Sequence, residues 1–163
     1  MKKNLFWKVI TQMWSVFFMI VPVSIFFFFT KNYSITAHLI ILLILTDWAA
    51  SFIKLVFFVD RPEKMPYKNI IQRLLASSFP SIHSSRTFSI FLYSLIIFWF
   101  FYSWIFFIYF LLVALSRIIL KKHFLHDVLG GIALSTLIFV VYINYFQLYW
   151  EIWISHVIKI LWL

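Results

Sequence analysis

Lys54 with Arg61-Pro62, then Pro80-Ser81-Ile82-His83, then Ser116-Arg117 with His123 and Asp127, stand as three polar blocks in an otherwise apolar chain of 163 residues. Charge in or beside a bilayer is costly, so ionisable residues in such a chain are functional-site candidates by default. Their types are chemically selective. A lysine, two arginines and a serine suit the several anionic oxygens of a phosphate, because a guanidinium fork can grip two oxygens at once. His123 and Asp127 lie four residues apart, which on a helix puts a nucleophile one turn from an orienting carboxylate. His83 adds a second imidazole able to carry a proton near neutral pH.

Composition sets the medium in which that chemistry must work. At 64% hydrophobic and 23% aromatic residues, with only 12% charged, the chain reads as a polytopic membrane protein rather than a soluble globule. Its length predicts a single domain over residues 1–163, with the motif region at 54–127. There is no cysteine, hence no disulfide framework and no thiol chemistry. The excess of 14 Lys and Arg over 5 Asp and Glu would suggest nucleic acid in a soluble protein. In a membrane protein, anionic headgroups are the better partners, and no nucleic acid is expected. Protein partners are not legible.

The order and spacing of the blocks resemble the type 2 phosphatidic acid phosphatase superfamily, integral-membrane lipid phosphatases related to vanadium haloperoxidases. That family's pattern is Lys, six residues, Arg-Pro; then Pro-Ser-Gly-His; then Ser-Arg, five residues, His, three residues, Asp. Here six residues separate Lys54 from Arg61-Pro62, five separate Arg117 from His123, and three separate His123 from Asp127. The second block departs once, with Ile82 where the family usually has glycine. Glycine permits positive φ and close backbone approach, whereas a β-branched residue there would be strained. A tighter or reshaped pocket is therefore expected.

The resemblance implies a set of roles. His123 would attack phosphorus to give a phosphohistidine, and Asp127 would fix its tautomer. His83 would protonate the leaving oxygen and then activate water. Lys54, Arg61, Ser81, Arg117 and the Ile82 turn would hold the phosphoryl oxygens, with no metal or other cofactor. Arg86, one turn after His83, is a candidate for a second phosphate contact or for a snorkelling charge. His126 is expected to point off the His123 face. Asp47, two turns before Lys54, is read as pairing within the bundle, and His38 and His156 as interface residues.

The fold class expected is all-α, a transmembrane bundle of five to six spans with the site at one membrane face. Spans run from about Leu5 to Phe29, read as a retained helix rather than a signal peptide, and from about Ile35 to Val59. Between Glu63 and Ser78 lies the most polar stretch, where Ile70, Ile71, Leu74 and Leu75 oppose Lys68, Gln72 and Arg73, as in an interfacial helix. Residues 88–115 carry no charge, Gly or Pro. As one helix they would extend roughly 42 Å, longer than a hydrocarbon core of about 30 Å. A break is expected near Tyr102-Ser103, where Trp99, Tyr102 and Trp104 suit an aromatic belt. A last span runs from about Phe124 to Tyr145, with Gly130-Gly131 allowing close helix contact. The tail from Gln147 lies on the surface or forms a sixth helix.

The resemblance further implies a membrane lipid phosphate substrate, phosphomonoester or polyprenyl diphosphate: phosphatidate, phosphatidylglycerol phosphate, undecaprenyl diphosphate or a lipid A phosphate. It also implies a multi-pass protein of the cell membrane whose site faces away from the cytoplasm. Lys2, Lys3, Lys64, Lys68, Arg73, Lys121 and Lys122 share the site's face, against Lys31 and Lys159 opposite, so the positive-inside rule points the other way. Two other functions fit the same residues: a lipid phosphotransferase using the same site, and a non-enzymatic lipid-binding membrane protein.

Overall fold

The structure, a computed structural model, describes residues 24, 25, 28, 31 and 33–147. Their regular secondary structure is helical, with no strand among the described residues: α1 Tyr33–Val56, α2 Ile70–Ala76, α3 Ile82–Ile97, α4 Trp99–Ile119 and α5 Leu125–Val141, which runs on into one π turn, Tyr142–Gln147. Helix α3 is the hub, packing against α1, α4 and α5. Among the described residues, three segments are long and apolar enough to cross a membrane: Ser34–Val56, Tyr102–Ile119 and Leu125–Tyr145. At 16 residues, α3 is about 24 Å long, short for a bilayer core. The first expected span and the C-terminal tail lie outside the described residues.

The burial pattern inverts that of a soluble protein. Large apolar side chains point outward, including Trp48, Phe52, Ile105 and Leu129, while Thr46, Ser84, Ser85, Thr87, Ser89 and Ser135 are wholly buried. Lipid supplies no hydrophobic drive for helices to associate, so close approach of small residues and hydroxyl hydrogen bonds must hold the bundle. Ser135 Oγ on α5 donates to the Ser85 carbonyl on α3 at 2.7 Å, and the hydroxyls of Thr46 on α1 and Ser89 on α3 are 3.1 Å apart. Gly131 lets α5 approach the backbone of α3 closely. A Cβ there would lie 2.9 Å from the Ser81 carbonyl oxygen and 3.0 Å from Ser85 Oγ, so glycine's missing side chain sets the α3–α5 separation. At Gly130 a Cβ would strike the Phe79 ring. This is the close helix contact expected of the glycine pair.

Two expectations need correction. The break between α3 and α4 is at Phe98, not near Tyr102-Ser103: Phe98 caps both helices, and its N–H closes on the Ser94 carbonyl at 2.8 Å. No Gly or Pro marks the spot, and the turn is held by tertiary contact, with the Phe98 ring stacked on Phe106 at 6.0 Å. Ser103 is buried inside α4, while Tyr102 and Trp104 are exposed as a belt would require. His38 is the second correction. It is buried, its Nδ1 2.5 Å from the Tyr142 hydroxyl where the π turn begins.

A helix, α2, forms in the stretch where an interfacial one is expected. The Asn69 side chain accepts from the Gln72 N–H and the Gln72 side chain from the Lys68 N–H, at 2.8 and 2.7 Å, a reciprocal cap that starts the helix. Ile70, Ile71 and Leu75 stay exposed, as suits a helix lying in a headgroup layer.

Candidate active site

Four helix ends bring the polar blocks together. Lys54 sits in the last turn of α1, His83 in the first turn of α3, Arg117 in the last turn of α4, and His123 just before α5. The segment between α1 and α2 is pinned beneath them, the Ser78 N–H donating to the Val59 carbonyl at 2.8 Å.

Asp127 is the hinge of the arrangement. As the third residue of α5, its Oδ2 accepts the Phe124 N–H at 2.7 Å, capping the helix where a negative charge is favoured by the dipole. The same oxygen accepts from the Ser78 hydroxyl and faces His123 Nδ1 at 3.5 Å. The Asp127 carbonyl accepts the Ser81 N–H at 3.0 Å, tying α5 to the start of α3. Lys54, buried, donates its ammonium to the Ser77 and Ser78 carbonyls at 2.5 and 3.2 Å. Carboxylate, hydroxyl, peptide and ammonium thus form one chain from Asp127 to Lys54. Ser77 and Ser78 were not singled out from sequence; their signal was a serine pair just ahead of the Pro80-Ser81 block.

Arg117 and His123 share a turn. The Lys122 N–H donates to the Arg117 carbonyl and the Lys121 N–H to the Ile118 carbonyl, both at 3.0 Å, the two bonds of a Schellman cap. Lys121 takes its left-handed position at φ 53, where glycine is usual. The His123 N–H also reaches the Arg117 carbonyl, at 3.2 Å.

The cations are incompletely used. Arg117 is 5% exposed, yet its Nε and Nη2 have no hydrogen-bond partner, and neither has buried Nε of Arg61. Arg61 Nη1 makes only a 3.5 Å contact to Met65 Sδ. Orphaned guanidinium N–H groups are expensive to bury, and the Nε–Nη2 edge of Arg117 is the edge that grips two oxygens. His83 lies within electrostatic reach of Arg117, Arg86, His123 and Arg61. An oxyanion entering here would meet two guanidinium edges and two imidazoles.

Burial holds the His123 pKa below its ordinary value near 6.5; the Asp127 contact opposes this, and Lys54 and Arg61 reinforce it. The imidazole is therefore neutral near pH 7. With Nδ1 turned to Asp127, Nε2 keeps the lone pair that could attack.

The remaining candidates fall as follows. Ser81 is buried and its hydroxyl accepts from Ser84 Oγ at 3.0 Å. Ile82 is the first residue of α3, and the non-glycine residues at positive φ among those described are Lys31 and Lys121. The backbone freedom of glycine is not required at Ile82. His126 is 62% exposed, stacked on Phe124, with Nε2 3.1 Å from Asp127 Oδ1; it lies outside while His123 lies within. Arg86 is paired with Asp47, which answers the pairing expected of Asp47. Among the described residues no group of three His, Asp or Glu side chains comes together as a metal site would need.

An all-helical membrane bundle with this site defines a class, and comparison gives the family. The model of the PAP2 superfamily matches residues 35–151, and the chain belongs to that superfamily. In fold it is similar to the crystal structure of the first transmembrane PAP2 type phosphatidylglycerolphosphate phosphatase, from Bacillus subtilis. The TM-score is 0.64 at 22% identity, over 88% of this chain and 76% of that one. No curated protein sequence matches this one significantly.

Proposed function

We propose that this chain is an integral-membrane lipid phosphatase, a single catalytic domain that hydrolyses a lipid phosphate or polyprenyl diphosphate without a metal. The observation that carries this reading is the buried, unpartnered Nε–Nη2 edge of Arg117, held by one turn beside a neutral His123. His123 Nε2 attacks phosphorus in line with the leaving oxygen; the P–N bond forms as the P–O bond breaks. His83, held neutral by burial and by Arg117, Arg86 and Arg61, takes up a proton as the phosphate dianion enters. It gives that proton to the departing oxygen, then takes one from the water that cleaves the phosphohistidine. Arg117 and Arg61 stabilise the transferring phosphoryl oxygens, with Ser81 and the Ile82 turn bordering them. Lys54 acts from behind, as a charge on the Ser77–Ser78 peptide. Asp127 orients His123 and stabilises its charged form.

The protein belongs in this reading to the cell membrane, its pocket on the extracytoplasmic side. The test is phosphate release from phosphatidate and phosphatidylglycerol phosphate by purified protein in detergent, with EDTA present. Turnover in EDTA, together with an acid-labile phosphoenzyme on rapid quench, is expected. Activity that needed added Mg²⁺ or Zn²⁺ would overturn the mechanism. Labelling of a cysteine placed at Lys68 in intact cells reports the side.

A further inference from the structure

Asp47 lies seven residues before Lys54 on α1, and Arg86 three residues after His83 on α3. They form a two-pronged ion pair: Arg86 Nε donates to Oδ1 and Nη2 to Oδ2, each at 2.5 Å. The side chains are only 21% and 20% exposed. Ion pairs withdrawn from water are weak sources of stability, so one inside a membrane bundle calls for a functional reason. Neither residue belongs to the phosphoryl-transfer machinery.

Their position supplies the reason. Side chains on a helix tilt toward its N-terminus, so Arg86 leans from its turn toward the turn of His83, within electrostatic reach of that ring. In an in-line displacement by His123, the leaving oxygen departs on the His83 side of phosphorus. Arg86 therefore borders the place where the leaving group sits. Two substrate classes differ at that place. A phosphomonoester expels an alcohol, neutral once His83 has protonated it. A diphosphate expels a second phosphate, whose anionic oxygens need a cation. Arg86 is the cation there, and Asp47 holds the fork that would grip two of those oxygens.

We infer that Asp47 is a specificity-determining residue: by occupying the fork of Arg86 it closes the leaving-group side to a second phosphate and restricts turnover to lipid phosphomonoesters. This rests on the phosphatase reading. The bond changes are the same for both classes, P–O breaking as P–N forms and one proton passing from His83 to the leaving oxygen. Only the owner of that oxygen differs.

Farnesyl phosphate and farnesyl diphosphate share one hydrocarbon and isolate the second phosphate. Initial rates of phosphate release by wild type should favour the monophosphate in kcat/KM by about tenfold or more, the scale of one charge-assisted contact set. Asp47→Asn, which frees Arg86, should lower that preference by about tenfold, through faster diphosphate turnover. Asp47→Asn/Arg86→Gln, which removes the freed cation as well, should restore the wild-type preference. A merely structural pair would slow both substrates equally. Wild type that takes both substrates alike, or a preference unmoved in Asp47→Asn, would overturn the inference. Should Asp47→Asn fail to fold, seen by circular dichroism in detergent, the wild-type ratio and the double variant decide. Phosphate from neither substrate, nor from any lipid phosphate, would sink the phosphatase reading instead.

Discussion

The two ends of the bundle bury polar groups in opposite ways. At one end His38 meets Tyr142 at 2.5 Å and the Tyr93 hydroxyl donates to the Ile35 carbonyl at 3.1 Å, so each of these buried polar groups has a partner. At the other, Arg117 Nε and Nη2, Arg61 Nε and His123 Nδ1 are buried without a hydrogen bond, the last of them 3.5 Å from Asp127 Oδ2. Polar burial that only builds a fold saturates itself, because an unpaired group in a low dielectric is costly. Polar burial that leaves donors open on several converging cations suits an anion.

The sharpest way to break this contrast is to alter the open end. His123→Ala should lower phosphate release by about 10⁴-fold or more, with helicity and Tm unchanged. Arg117→Ala should lower kcat by about 10²–10³-fold and weaken vanadate, a mimic of the transition state, more than substrate. Equal losses for vanadate and substrate would mean that Arg117 binds both states alike.

The saturated end should respond in stability instead. Tyr142→Phe leaves His38 without that hydroxyl and should cost about 1–2 kcal/mol, read as a lower Tm in detergent. Its kcat should stay within about threefold, as distant sites are energetically independent. A large loss of activity at unchanged Tm would erase the distinction between the two ends.

Titration sharpens it further. In the proposed mechanism His123 must be neutral to attack, and burial holds its pKa below the ordinary value near 6.5, so activity should persist as pH falls through 6.5 and fade only at the lower value. Arg61→Gln removes a charge that depresses this pKa, so the acid limb of kcat/KM should move upward. A limb that stayed put would assign it to another group. The smallest effect belongs to the shared turn. Lys121 at φ 53 carries the cost of a left-handed non-glycine residue, about 1 kcal/mol, which Lys121→Gly should return as a higher Tm.

Much of the open end was legible in the sequence because its residues sit at helix-defined spacings. His123 and Asp127 share a face by their i,i+4 register, and Lys54, Arg117 and His123 fall where apolar runs end. What escaped is what tertiary structure alone decides. The Phe98 break has no local breaker and is held by stacking across the turn. Ser78 joins Asp127 across 49 residues, and Asp47 finds Arg86 across 39, distances at which sequence shows that a partner is needed but not which. His38 was misplaced for the same reason, since its partner Tyr142 lies at the far end of another helix.

The missing side chain of Gly131 has a consequence for the machine as a whole. Its α-carbon face abuts the Ser81 carbonyl, two residues from His83, on the helix that opens just past His123. The spacing between α5 and the start of α3, which carries His83, is therefore gauged by an absence, as a bearing is gauged by its clearance. Gly131→Ala would leave every candidate site residue in the protein and yet prise α5 from the start of α3. A single methyl group would widen the candidate site without removing any residue from it.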